Sequence, residues 1–185
     1  MKFQISNPKG KRQPTLKTCL SGLIAILIAV WGPACGYRFS GLHEAPYGVN
    51  RFHVEVFENK TMETGAEVLF ANDLMNELTR DGRMTLVPQD QAKGLFSGVV
   101  KLMDIDTVSR TAGYTATERR VRITVDVVLK SQDGGTLWVG DDITSSATYL
   151  VVPDKLATEY NRKLAVAEVS KKIAQKVFQQ LSWDF

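Results

Sequence analysis

Residues that usually carry chemistry are scarce in this chain. Its 185 residues include two cysteines, Cys19 and Cys35, and two histidines, His43 and His53. No H-E-x-x-H, G-x-S-x-G or phosphate-loop pattern occurs, so zinc hydrolysis, serine-hydrolase chemistry and nucleotide hydrolysis have no support in the sequence. No catalytic set, metal site or cofactor is expected. Asp104-x-Asp106 and Asp141-Asp142 are the only close carboxylate pairs. Without an EF-hand glycine or a distal glutamate they read as solvated strand-end charges. Gly94-x-x-x-Gly98 lacks the Lys-Ser/Thr that would make it a phosphate loop.

Acidic residues are also missing, up to and including His43, while Lys2, Lys9, Lys11, Arg12 and Lys17 precede the uncharged stretch 20–31. Twelve residues are too few to span a bilayer, which takes about 20. A basic start, a short apolar stretch and then Gly32-Pro33-Ala34 is the order of a secretory signal, with an uncleaved N-terminal anchor as the other reading. Cleavage before Cys35 would leave one cysteine and exclude an intramolecular disulfide. A lone thiol sent to an oxidising compartment needs something to consume it, and thioether acylation at the first mature position does so. Gly32-Pro33-Ala34-Cys35 is similar to a bacterial lipobox, with Gly32 where Leu is usual. Residues 1–34 are therefore expected to be a lipoprotein signal peptide, 35–50 a lipid-anchored tether and 51–185 a single domain. Losing residues 1–34 takes five of the 23 basic residues and none of the 20 acidic ones, leaving 18 against 20. That balance predicts no nucleic-acid partner, while the acylated N-terminus predicts membrane contact through its lipid.

Periodicity outlines the domain. Phe52, Val54 and Val56 alternate with His53, Glu55 and Phe57 as in a half-buried strand. The spacing of Val68, Ala71, Leu74, Met75 and Leu78 predicts a helix over 66–80, with Gly82 as its cap. A short strand over 84–87 stops at Pro88. A long one over 95–108 changes parity between Leu102 and Met103, which predicts a bulge there. Val121, Ile123, Val125, Val127 and Leu129 give the cleanest alternation, and Gln132-Asp133-Gly134-Gly135 turns the chain into a pairing strand over 137–149. A last helix over 155–181 is capped by Pro153-Asp154 and carries Val166, Val169, Ile173, Val177 and Leu181 on one side. The economical assembly is an α+β two-layer sandwich: a mostly antiparallel sheet of four to five strands with two helices packed on one face.

Cys35-Gly36-Tyr37-Arg38-Phe39 and Val54-Glu55-Val56-Phe57-Glu58-Asn59-Lys60-Thr61, together with the order of elements downstream, resemble the lipopolysaccharide-assembly lipoprotein family of LptE type. The resemblance covers nearly the whole segment after Cys35. It implies the same two-layer fold, a non-enzymatic lipoprotein of the outer membrane, a large β-barrel translocon as partner, and lipopolysaccharide bound through basic residues near sheet loops. The sequence offers a basic stretch to match. Glu118-Arg119-Arg120-Val121-Arg122 concentrates three arginines, with Arg110 across the Thr111–Tyr114 turn, and guanidinium forks suit phosphates. Solvated surface charge is the competing reading. The candidate ligand residues are Arg110, Arg120, Arg122 and Lys155, and the candidate lipid anchor is Cys35. The alternative function is a periplasmic lipoprotein that scaffolds an envelope complex without binding lipid.

Overall fold

The computed structural model describes residues 45–80, 82–112 and 115–183; the segment 1–34, Cys35, His43, most of the tether and the Gly113-Tyr114 part of the turn lie outside the described residues. Within it are strands β1 (Arg51–Val54), β2 (Glu58–Asn59), β3 (Thr85–Leu86), β4 (Gly94–Arg110), β5 (Ala116–Ser131) and β6 (Thr136–Leu150), and helices α1 (Ala66–Thr79) and α2 (Lys155–Trp183). The strands form one open sheet in the order β3-β1-β4-β5-β6, with β2 also pairing β4.

The expected α+β class and both helices are present, but the sheet is mixed and has six strands. β4, β5 and β6 are antiparallel, whereas β1 runs parallel to both β3 and β4, and β2 runs parallel to β4. The mixed direction has a simple cause. Helix α1 carries the chain back over the sheet between β1 and β3, and such a crossover lays the second strand parallel to the first. Strands of two to four residues are too short to announce their direction in a sequence pattern.

Packing follows the alternation closely in β5, where Val121, Ile123, Val125, Val127 and Leu129 are all buried. An internal void is lined by Phe70 and Leu74 of α1, Ile173 and Val177 of α2, and Phe57 and Val127 from the sheet side, so both helices cover the same face. On α1, Phe70 takes the core position that Val68 was expected to hold, and Val68 is exposed. The end of α1 is turned by Gly82, at φ 75°, whose N–H donates to Thr79 O at 3.1 Å. Asp154 caps α2 by accepting from Leu156 N at 2.8 Å.

The two glycines that resembled a weak phosphate motif are packing notches in β4. A Cβ on Gly94 would stand 2.5 Å from Val49, and one on Gly98 would stand 2.4 Å from the Phe57 ring. Phe57 is buried and Val56 exposed, the reverse of the expected alternation, because the pairing with β4 slips by one residue between β1 and β2, Val54 lying opposite Phe96 but Glu58 opposite Val99. The Gly98 notch is what receives the ring. Gly98→Ala is expected to cost about 1–3 kcal/mol by overpacking, read as a lower urea midpoint. An unchanged midpoint would mean that the ring does not need the notch.

Candidate functional site

β4 ends, β5 begins and β6 runs into α2 at the same end of the sheet, and the sequence-predicted basic residues gather there. The parity of β5 sends Val121 and Ile123 into the core and Arg120 and Arg122 to the opposite face. Register sets Arg120 between Asp106 on β4 and Thr148 on β6, and Arg122 between Asp104 and Ser146. Arg122 Nη1 lies 3.6 Å from Asp106 Oδ2, an ion pair with both side chains about half exposed. Asp104 and Asp106, expected to be solvated charges, are exposed, but they form a cross-strand ladder with the arginines. Arg110 closes β4 opposite Ala116. Lys155 opens α2 and therefore belongs to the helix layer, on the other side of the sheet from the Arg120–Arg122 pair.

Below this end, two bulges face each other across β5. The predicted shift in β4 falls between Val100 and Leu102, leaving Lys101 as the extra residue. A second in β6 takes in Asp141 and Asp142, and Asp142 adopts φ 52°. Asp126 on β5 joins them: its Oδ1 accepts from Asp142 N at 2.8 Å, and its Oδ2 lies 3.0 Å from Lys101 Nζ. Lys101 Nζ also reaches Asp142 Oδ1 at 2.8 Å, and these two carboxylates push its pKa up to about 12, Asp142 contributing most. The left-handed residue is thus held by its own amide and its own side chain. Sequence inspection grouped Asp141 with Asp142 and missed the partners, because a bulge pairing across three strands leaves no local pattern.

A second cluster organises the turn from β2 into α1. Asn59 uses its whole side chain. Its Nδ2 donates to Glu63 O at 2.7 Å and to Glu67 Oε2 at 2.8 Å, and its Oδ1 accepts from Thr61 N at 2.9 Å and Thr61 Oγ1 at 2.8 Å. Glu67 is held below its ordinary 4.5, first by its own backbone N–H and then by the Asn59 amide. Glu63 then pairs with Arg162 of α2, a contact largely sheltered from solvent. Arg162 also binds Glu159 at 2.9 Å, and its pKa is raised, chiefly by Glu63. The Phe-x-Asn-x-Thr stretch that carried the family resemblance is therefore a folding latch. Phe57 enters the Gly98 notch, and Asn59 and Thr61 bend the chain into the helix. His53 has a comparable role, its Nδ1 donating to Val87 O at 3.1 Å and tying β1 to the segment after β3. No described helix is long and apolar enough to cross a membrane.

A two-helix α+β domain with this sheet is a fold also found among solved lipoprotein structures. The rare lipoprotein B from Shewanella oneidensis is 16% identical with a TM-score of 0.50, covering 73% of this chain and 96% of that one. Lipoprotein B from Nitrosomonas europaea is 15% identical with a TM-score of 0.50, covering 80% of this chain and 90% of that one. At these identities the likeness shows the fold. No curated protein matches the sequence. The model of the lipopolysaccharide-assembly family LptE matches residues 49–181, and the chain belongs to that family.

Proposed function

We propose that this protein is a non-enzymatic lipoprotein of the outer membrane that complexes with a large β-barrel translocon and supports lipopolysaccharide export to the cell surface. The observation that carries the reading is the family match across residues 49–181, which takes in the whole sheet and nearly all of α2. In this reading residues 1–34 are removed, Cys35 carries the acyl chains, residues 35–50 lead from the lipid into the fold, with Val49 already buried against Gly94, and 51–185 form the rest of the working domain. Several acyl chains on one residue would hold the protein at the membrane far more firmly than one marginal chain. Purification from the native membrane in mild detergent, followed by intact-mass analysis, is the test. A barrel protein in near-equal amount and a mass for this chain beginning at an acylated Cys35 are expected. Recovery of the lipoprotein alone, or of a chain retaining residues 1–34, would count against it.

The lipid-binding part of the reading centres on Arg120 and Arg122, with Arg110 at the end of β4 and Lys155, in the helix layer, as flanking candidates. Side chains two apart on one strand leave the same face about 7 Å apart, a span that a diphosphorylated glucosamine headgroup could bridge. Guanidinium–phosphate bonds are charge-assisted and competent to displace the loose 3.6 Å pair to Asp106. Charge reversal would set new carboxylates against Asp104 and Asp106, so neutralisation is the cleaner change. Arg120→Gln/Arg122→Gln is expected to lower lipopolysaccharide affinity by about tenfold and to make the remaining binding less salt-sensitive. Titration at two salt concentrations checks this, with far-UV circular dichroism for folding. Unchanged affinity in the folded variant would leave these arginines as solvated surface and favour the scaffold that binds no lipid.

A further inference from the structure

β2 runs parallel to β4 but pairs with it only at Glu58 with Val99 and Asn59 with Val100, followed by one bond from Lys60 N to Val100 O. Beyond that point, among the described residues, β4 is paired on one side only, by β5. Residues 102–107 keep an unbroken register with β5, between the shift at Val100/Leu102 and the one at Thr107/Ser109. Among the described residues no strand pairs with their other edge. Asn59 is the reason: by bonding Glu63 O and Glu67 it curls the chain into α1 just where β2 would have continued along β4.

The edge at β6 is handled differently. Lys172 Nζ donates to Ser146 O at 3.2 Å, Lys176 Nζ to Thr144 O at 2.5 Å, and Asn161 Nδ2 to Leu150 O at 3.1 Å. Helix α2 thus covers the free carbonyls of that edge, a common protection against unwanted strand pairing. Alongside residues 102–107, by contrast, a groove of about 380 Å³ separates β4 from the departing loop, with Met62, Leu102, Met103 and Ile105 on its walls beside the charged Lys60, Glu63, Lys101 and Arg162. Met62 is fully exposed and Leu102 half exposed.

We propose that residues 102–107 of β4 accept an extended segment of a partner protein as an added strand, and that this segment alternates apolar and basic residues. Met103 and Ile105 share the face of Ile123 and Val121, while Asp104 and Asp106 share the opposite face with Arg122 and Arg120. An added strand alternates in the same way, its backbone supplying affinity and its side chains selectivity. On one face it meets Met103, Ile105 and the groove, where Lys60, Lys101 and Arg162 disfavour a further cation and leave that face to apolar residues. On the other it lies beside two aspartates whose arginine partners stand on the β5 side, so a basic residue completes the charge ladder.

The same aspartates argue against a second copy of this chain. Antiparallel pairing of two identical edges about a two-fold axis normal to the sheet keeps the faces matched only when centred on a residue. Centres at positions 104, 105 and 106 set Asp104 against Asp104, Asp104 against Asp106, and Asp106 against Asp106. Like charges directly opposite each other are destabilising. The edge rejects itself and favours a basic strand. This inference does not depend on lipopolysaccharide binding, since its partner is a polypeptide and its contacts are the backbone of β4.

The test uses the full chain in a non-ionic detergent and a fluorescent six-residue peptide, Thr-Lys-Val-Lys-Val-Lys, blocked at both ends. Comparison peptides carry Glu for Lys, or N-methyl groups on the odd or on the even amides. The basic peptide is expected to bind about tenfold more tightly than the acidic one. One N-methyl pattern should abolish binding while the other leaves it, because alternate N–H groups face β4. Amide hydrogen exchange should slow at residues 102–107. The near-isosteric Asp104→Asn/Asp106→Asn variant should lose the preference for Lys over Glu yet keep the N-methyl pattern. Absence of binding, equal tolerance of both N-methyl patterns, or protection elsewhere on the sheet would overturn the proposal. So would a concentration-dependent dimer protected at these residues, which would assign the edge to a second copy.

Discussion

Phe96→Ala is expected to lower the stability of the domain by about 3–5 kcal/mol, the cost of truncating a buried phenylalanine whose surroundings cannot fully collapse. Phe96 is completely buried, and its ring meets that of Phe52 edge-on, with centroids 5.8 Å apart and an interplanar angle of 89°. Its position makes the loss larger than one side chain. On one side it pairs with Val54 of the parallel strand β1, and on the other with Leu129 of the antiparallel strand β5. It is therefore a joint between the two halves of a mixed sheet. Urea denaturation should show a lower midpoint with an unchanged slope, since the surface exposed on unfolding hardly changes. Phe96→Leu should recover part of the loss by refilling most of the volume. A cost below about 1 kcal/mol would mean that the halves are held together by backbone pairing alone.

Much of the antiparallel half was legible in the sequence because long strands repeat their message. The five apolar residues of β5 point into the core as their alternation predicts, and the parity change after Leu102 marks a real bulge. The last helix and its Asp154 cap were equally plain, since a long amphipathic period and a capping residue are local signals. In the parallel half the strands near residues 52–54 and 85–86 were legible as strands, but their direction was not. β1, β2 and β3 are two to four residues long, and their direction is decided by the path of α1, which no short window contains. The candidate basic site was legible as composition and only half legible as geometry. Arg120 and Arg122 share a face as their spacing requires, but Lys155 starts the helix on the other layer, a separation that chain order does not reveal. Nor could spacing show that Asp104 and Asp106 would lie against those arginines, because register across a hairpin depends on where its bulges fall.

Asn59→Asp isolates the latch that opens the β4 edge. The substitution keeps the shape and the oxygen that accepts from Thr61 N and Oγ1, and it removes both donors, which now reach Glu63 O and Glu67 Oε2. Losing the two donors is expected to cost about 2 kcal/mol near neutral pH, and repulsion from the Glu67 carboxylate adds to that. The pH dependence gives the sharper reading. In the natural protein Glu67 titrates below its ordinary 4.5, so the stability it contributes is complete above that value and is lost as pH falls through the folded one. The carboxylate introduced at position 59 faces another carboxylate and a carbonyl, so its own folded pKa is raised. The variant is therefore penalised above that pKa and relieved as protonation restores one donor. On passing from about pH 7 to about pH 4 the natural protein should lose stability while the variant regains part of its deficit, and the gap between their urea midpoints should narrow. Asn59→Ala, which removes all four bonds but adds no charge, should show a gap without that relief. If the two variants keep the same gap to the natural protein at both pH values, Asn59 acts by shape alone, and the turn away from β4 would have to be attributed to Thr61 and the Glu63–Arg162 pair instead.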